Sequence, residues 1–202
     1  MSHREKYAPG PAAGARVEKK VPKDVEKDVP NPPERWALIV VRELRHPPEM
    51  VWQALTDPAQ LSEWAPFDAD RNLAAAGSVK LSTVGTPTPQ VSEFTVTRAE
   101  APKLLEHSWV GNDLRWELEP LGGGTRLRLW IAIDRRFIAW GAAGWQICFD
   151  VLERLLAGAP MGRIAGPEAM KVDGWQRLTA EYAKQFGVET PGWASNAPKP
   201  KR

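Results

Sequence analysis

The sequence predicts an α+β fold in which a curved antiparallel sheet of about six strands wraps around a C-terminal helix. Three observations carry this. Five short β-rich segments follow one another between residues 77 and 133, each cut off by turn residues. The last two alternate apolar and charged side chains, as a sheet with one wet face does. The apolar stripe that follows has a helical period instead.

The elements come in a definite order. Trp36 to Arg45 is apolar and β-branched and reads as a strand, stopped by His46-Pro47-Pro48. Glu49 to Leu55 reads as a short helix with Pro48 at its start, where proline's missing N–H costs nothing. Asp57 is placed to cap a second short helix, Ala59 to Trp64, with Pro58 at its first position. The strands Gly77–Val84, Val91–Arg98, Lys103–Val110, Leu114–Glu119 and Thr125–Ile133 come next. Leu114, Trp116 and Leu118 share one face, and Leu127, Leu129, Ile131 and Ile133 another, with Arg115, Glu117, Glu119, Arg126 and Arg128 opposite. Cross-strand ion pairs of Glu117 and Glu119 with Arg126 and Arg128 follow from that register. Gly122-Gly123-Gly124 is a hairpin turn, since a strand and not a helix follows it. Trp145, Cys148, Phe149, Leu152 and Leu156 form one helical stripe, and Trp175, Leu178, Tyr182 and Phe186 a second, with Gly187 as its C-cap. A Gly/Pro-rich break at 158–167 separates them.

Composition bounds the rest. The 202 residues carry a net charge of +2, one Cys and ten Trp. One Cys excludes an internal disulfide and a Cys-cluster metal site. The charge gives no electrostatic case for nucleic acid. No apolar run is long enough for stable membrane insertion. The N-terminal MSHREKYAPGP lacks the apolar core of a signal peptide, so a cytoplasmic location is expected. Residues 1–34 and 188–202 are rich in proline and charge and are expected to be tails, the first disordered or extended, the second flexible and basic. The expected domain is 35–187.

The segment from His46 to Pro58, followed by Leu61-Ser62-Glu63-Trp64, resembles the opening motif of the SRPBCC superfamily (START/Bet v 1-like), in its Hsp90 ATPase activator (AHSA1-like) branch. Leu105 to Trp109, Leu114 to Pro120, Gly124 to Leu127, Gly144-Trp145 and Leu178 to Gly187 are similar to later landmarks, in order. The resemblance implies a helix-grip fold, with seven strands around the C-terminal helix and an enclosed cavity. A seventh strand has room near Phe67 to Asp70.

The expected function is binding of a small hydrophobic or aromatic molecule in an aromatic-lined cavity, because large side chains crowd the inner face. The candidate ligand-binding residues are Trp64, Phe67, Phe94, His107, Trp109, Trp116, Leu118, Leu129, Trp145, Cys148 and Phe149, with Trp64 near the cavity mouth. No catalytic constellation, metal site or cofactor is expected. His107 is the best available proton donor, though a hydrogen-bonded core histidine is the commoner outcome on such a strand. Cys148 reads as a buried, inert thiol. Trp130, on the charged face, and Trp140, ahead of the helix, could cover a sheet edge or lie in an interface, and a homodimer is among the expected partners. The resemblance implies two other functions: a protein-interaction module like the Hsp90 activator, and a polyketide cyclase/aromatase-like enzyme, for which His107 is the first candidate for general acid–base help and Arg98 a far second.

Overall fold

An apolar sheet face needs a cover, and the connection from strand to helix decides which part of the face is covered. The computed structural model describes residues 7–19, 35–85 and 90–189. Among these, eight strands form one antiparallel sheet: β1 (Ala15–Lys19), β2 (Arg35–Leu44), β3 (Phe67–Ala69), β4 (Gly77–Thr83), β5 (Gln90–Glu100), β6 (Leu104–Trp109), β7 (Asn112–Leu121) and β8 (Gly124–Asp134). Their order across the sheet is β1-β2-β8-β7-β6-β5-β4-β3. Helices α1 (Pro48–Thr56) and α2 (Pro58–Trp64) connect β2 to β3. Helix α3 (Ile138–Leu156) lies across the inner face, and α4 (Trp175–Phe186) packs beside it. This is the helix-grip architecture.

Local chemistry explains the joints. Asp57 ends α1 and caps α2, its carboxylate accepting from the backbone N–H of Ala59 and Gln60. Gly187 ends α4 in the left-handed conformation, where a glycine carries no Cβ penalty. Opposite charges meet across β7 and β8, with Arg128 to Glu119 at 3.0 Å and Arg126 to Glu119 at 3.5 Å.

Two features depart from the sequence expectation. The folded unit begins before residue 35: β1 pairs with β2 from Ala15↔Val40 to Lys19↔Trp36. Residues 7–14 form a strap over α3 and α4. Tyr7 donates to Asp150 at 2.6 Å, Tyr182 to the Ala13 carbonyl at 2.7 Å, and Gln185 to the Ala15 carbonyl at 2.6 Å. An edge strand needs one neighbour and few apolar positions, so Ala15 and Val17 alone gave no readable period. The tail expected at 188–202 lies, from residue 190 onward, outside the described residues.

The second departure is α3 itself. It starts at Ile138, a full two turns before the Trp145 stripe, and so contains Trp140. Gly141 and Gly144 interrupt the helical signal there, since glycine is a weak helix former. At its other end the expected break is real. The chain leaves α3 at Ala157, runs through a single 3₁₀ segment at Gly166–Lys171, and only then enters α4.

Candidate functional site

The inner face of the sheet divides into a filled end and an open end. At the filled end α2 delivers Trp64 onto the sheet. Its indole meets Trp116 edge-on at 6.1 Å and Phe149 of α3 at 6.4 Å, and its N–H donates to the Ala54 carbonyl at 2.9 Å. Trp64 is fully buried, so it does not stand at a cavity mouth, as the sequence suggested. Phe67, Leu118, Leu129 and Phe149 are buried in the same core. Phe94, half-buried on β5, packs against that core and does not line the cavity described below.

His107 sits in this packed region. Its Nδ1 donates to the Ser108 carbonyl at 3.2 Å, and its Nε2 accepts the Trp116 indole N–H at 3.1 Å. That pattern fixes a neutral ring with both nitrogens engaged. Burial lowers its pKa to about 4, because the charged ring would lose its water. The candidate proton donor is thus a core histidine, and Arg98 is exposed on β5 and paired with Glu100 at 2.7 Å.

The open end lies between β6, β7 and β8, the first half of α3 and the segment at residues 165–170. It holds a cavity of about 460 Å³. Trp109, Asn112, Ile131 and Ile133 line it from the sheet, and Phe137, Trp140, Gly141, Gly144, Trp145 and Cys148 from the turn before α3 and α3 itself. Pro66, the stretch Ala165-Gly166-Pro167, Ala169, Met170 and Trp175 complete the wall. Two edge-on tryptophan pairs frame it: Trp109 with Trp145 at 6.2 Å, and Trp140 with Trp175 at 6.3 Å. Such T-shaped contacts hold the rings at defined angles. Phe137 is exposed at the rim.

Three of the eleven sequence candidates meet here: Trp109, Trp145 and Cys148. Sequence reasoning missed Phe137, Gly144, Met170 and Trp175, and it left Trp140 outside the helix. Helical spacing could have found Trp140 and Gly144, which fall at i and i+4 on a stripe that continues to Cys148 at i+8. Met170 arrives by the irregular chain after α3, which carries no period, and Trp175 opens α4 on a stripe the sequence shows but whose docking it does not.

Ionisable chemistry is scarce in the cavity. The Cys148 thiol is its one titratable group, and burial pushes it up to about 12, so it stays protonated and unreactive. Among the described residues, no group of three His, Cys, Asp or Glu could hold a metal ion. No helix among them is long and apolar enough to cross a membrane. Trp130 lies on the outer face, half-buried, with Arg16 of β1 over its ring at 5.8 Å and its N–H donating to Glu117 at 3.3 Å.

The comparisons with known proteins agree with this architecture. The family model described as activator of Hsp90 ATPase homolog 1-like protein matches residues 45–157, more than half of the chain. The fold is similar to that of CalU16 from Micromonospora echinospora, with TM-score 0.59 and 21% identity over 86% of this chain and 94% of that one. A protein from Mesorhizobium loti gives TM-score 0.53 and 26% identity, covering 60% of this chain and 97% of its own. One from Staphylococcus saprophyticus gives 0.54 and 17%, covering 62% and 94%. By sequence, no curated protein matches.

Proposed function

The chain belongs to the activator of Hsp90 ATPase homolog 1-like family, and from that premise we propose that it binds a small apolar molecule in the cavity beneath the first half of α3. One observation carries the reading: about 460 Å³ of space framed by four tryptophans, with no Asp, Glu, Lys, Arg or His in its wall. Ligand pockets commonly fall at roughly 300–1,000 Å³ and are mostly apolar with a few polar groups. The neighbouring interior is packed solid by Trp64, Trp116 and Phe149, so the space beside it is a feature of the sequence at that end and not of loose packing.

A catalytic reading is less well supported. General acid–base help needs a titrating group within hydrogen-bond reach of the ligand. His107 spends both nitrogens inside the core, and the Cys148 thiol is held protonated. The test is titration of tryptophan emission with palmitate, retinol and planar aromatic molecules in turn. Saturable quenching or a saturable shift by at least one class is expected. Linear, unsaturable responses to all three would contradict the proposal.

A further inference from the structure

The walls of the cavity constrain the chemistry of what it holds, and this step rests on the ligand-binding reading above. Gly144 lies in the middle of α3, where glycine costs about 1 kcal/mol relative to alanine. A Cβ built on Gly144 meets no atom within 4 Å, so packing does not require the glycine. Gly141, one turn earlier, differs: its Cβ would sit 2.8 Å from Ile133 Cδ1. Gly144 therefore leaves bare helix backbone as a flat wall between the two tryptophan pairs.

Among the polar groups around the cavity, the tryptophan indoles offer donors only. The Trp109 N–H is engaged by Thr83 at 3.2 Å. The indole N–H groups of Trp145 and Trp175 have no acceptor among the described residues, although both side chains are more than nine-tenths buried. Neither nitrogen is sealed from solvent, and the cavity is the open space that both residues border. Water reaches both donors in the free protein; a ligand that displaces it without offering an acceptor leaves them unsatisfied, at a cost on the order of 1–3 kcal/mol, whereas a ligand oxygen replaces the lost bond. No cationic group lines the space, so a carboxylate inside it would be unpaired and costly.

We infer that the cavity takes a planar, uncharged, fused-ring molecule bearing carbonyl or ether oxygens, with Gly144 setting the width of the slot and the Trp145 and Trp175 N–H groups meeting those oxygens. Gly144 is then a specificity-determining residue.

The test uses the full chain and three probes: fluorenone, its oxygen-free analogue fluorene, and palmitate, followed by tryptophan quenching. Fluorenone should bind about tenfold more tightly than fluorene, the value of one good hydrogen bond. Trp145→Phe keeps the ring and removes the donor, and should bring the two probes to within about threefold of each other. Gly144→Leu should weaken fluorenone at least about tenfold, while Gly144→Ala stays within about threefold of the parent chain. Thermal unfolding checks that each variant is folded; should Gly144→Leu fail to fold, the Trp145→Phe comparison carries the test. Fluorene binding as tightly as fluorenone, or Gly144→Leu binding fluorenone unchanged, would overturn the inference. Binding of palmitate without fluorenone would overturn it and leave the ligand-binding reading intact. Binding of none of the probes would overturn it, and a failure of retinol as well would remove the ligand-binding reading with it.

Discussion

The two ends of the sheet's inner face are built from the same residue type and do opposite things. At the filled end, Trp64 and Trp116 interlock with Phe149, and each indole N–H has an acceptor in the protein. At the open end, Trp109, Trp140, Trp145 and Trp175 stand in pairs around a space, and two of their N–H groups have no acceptor among the described residues. What differs is the supply of side chains from outside the sheet. Helix α2 delivers Trp64 into the first region, whereas α3 presents Gly144 to the second. Tryptophan content alone therefore says nothing about whether an interior is solid or hollow.

The largest expected effect lies at the filled end. Trp116→Ala should lower unfolding free energy by about 3–5 kcal/mol in chemical denaturation, the usual cost of removing a large buried aromatic. It also strips His107 of its indole donor. A loss below about 1 kcal/mol would mean that this end is not the core.

Acid should act on the same end. His107 is neutral in the fold, with its pKa lowered to about 4, while the unfolded chain titrates near 6.5. Between those values the unfolded state binds more protons, so stability falls as pH drops from about 6.5 to about 4. The full loss is about 3 kcal/mol on the linkage rule of 1.36 kcal/mol per pH unit. Denaturation curves at stepped pH measure it, and His107→Gln should flatten the dependence in that window.

A smaller effect separates the strap from the cavity. Tyr7 bonds Asp150, which also holds Arg42 at 2.6 Å, and Gln146 and Glu153 lie on the same stripe of α3. That stripe faces away from Gly141, Gly144 and Cys148. Tyr7→Phe should cost about 1 kcal/mol of stability and leave ligand affinity unchanged. The smallest effect is at the open end: Gly144→Ala should raise stability by up to about 1 kcal/mol, because the helix gains and nothing clashes. Destabilisation there would show that the space is not open.

This contrast also explains how far the sequence could be read. Alternation in Leu114–Leu118 and Leu127–Ile133 identified inner faces, turn residues separated the strands, and Asp57-Pro58 placed α2 to within a residue. Periodicity names the face of an element, not its neighbour across the interior. Trp64 and Trp145 both read as ligand contacts, yet only α2's docking decides that the first is sealed in the core. Trp175 reads as part of the α4 stripe, but nothing in that stripe says that it meets Trp140 across the cavity; Met170 comes from irregular chain and β1 offers only Ala15 and Val17, so neither of these leaves a pattern to read.

The most direct test follows the indole N–H resonances, one for each of the ten tryptophans, as fluorenone is added to isotope-labelled protein. The N–H signals of Trp145 and Trp175 should move with saturation while those of Trp64 and Trp116 stay in place. Shifts at Trp64 and Trp116 with Trp145 and Trp175 unmoved would contradict it.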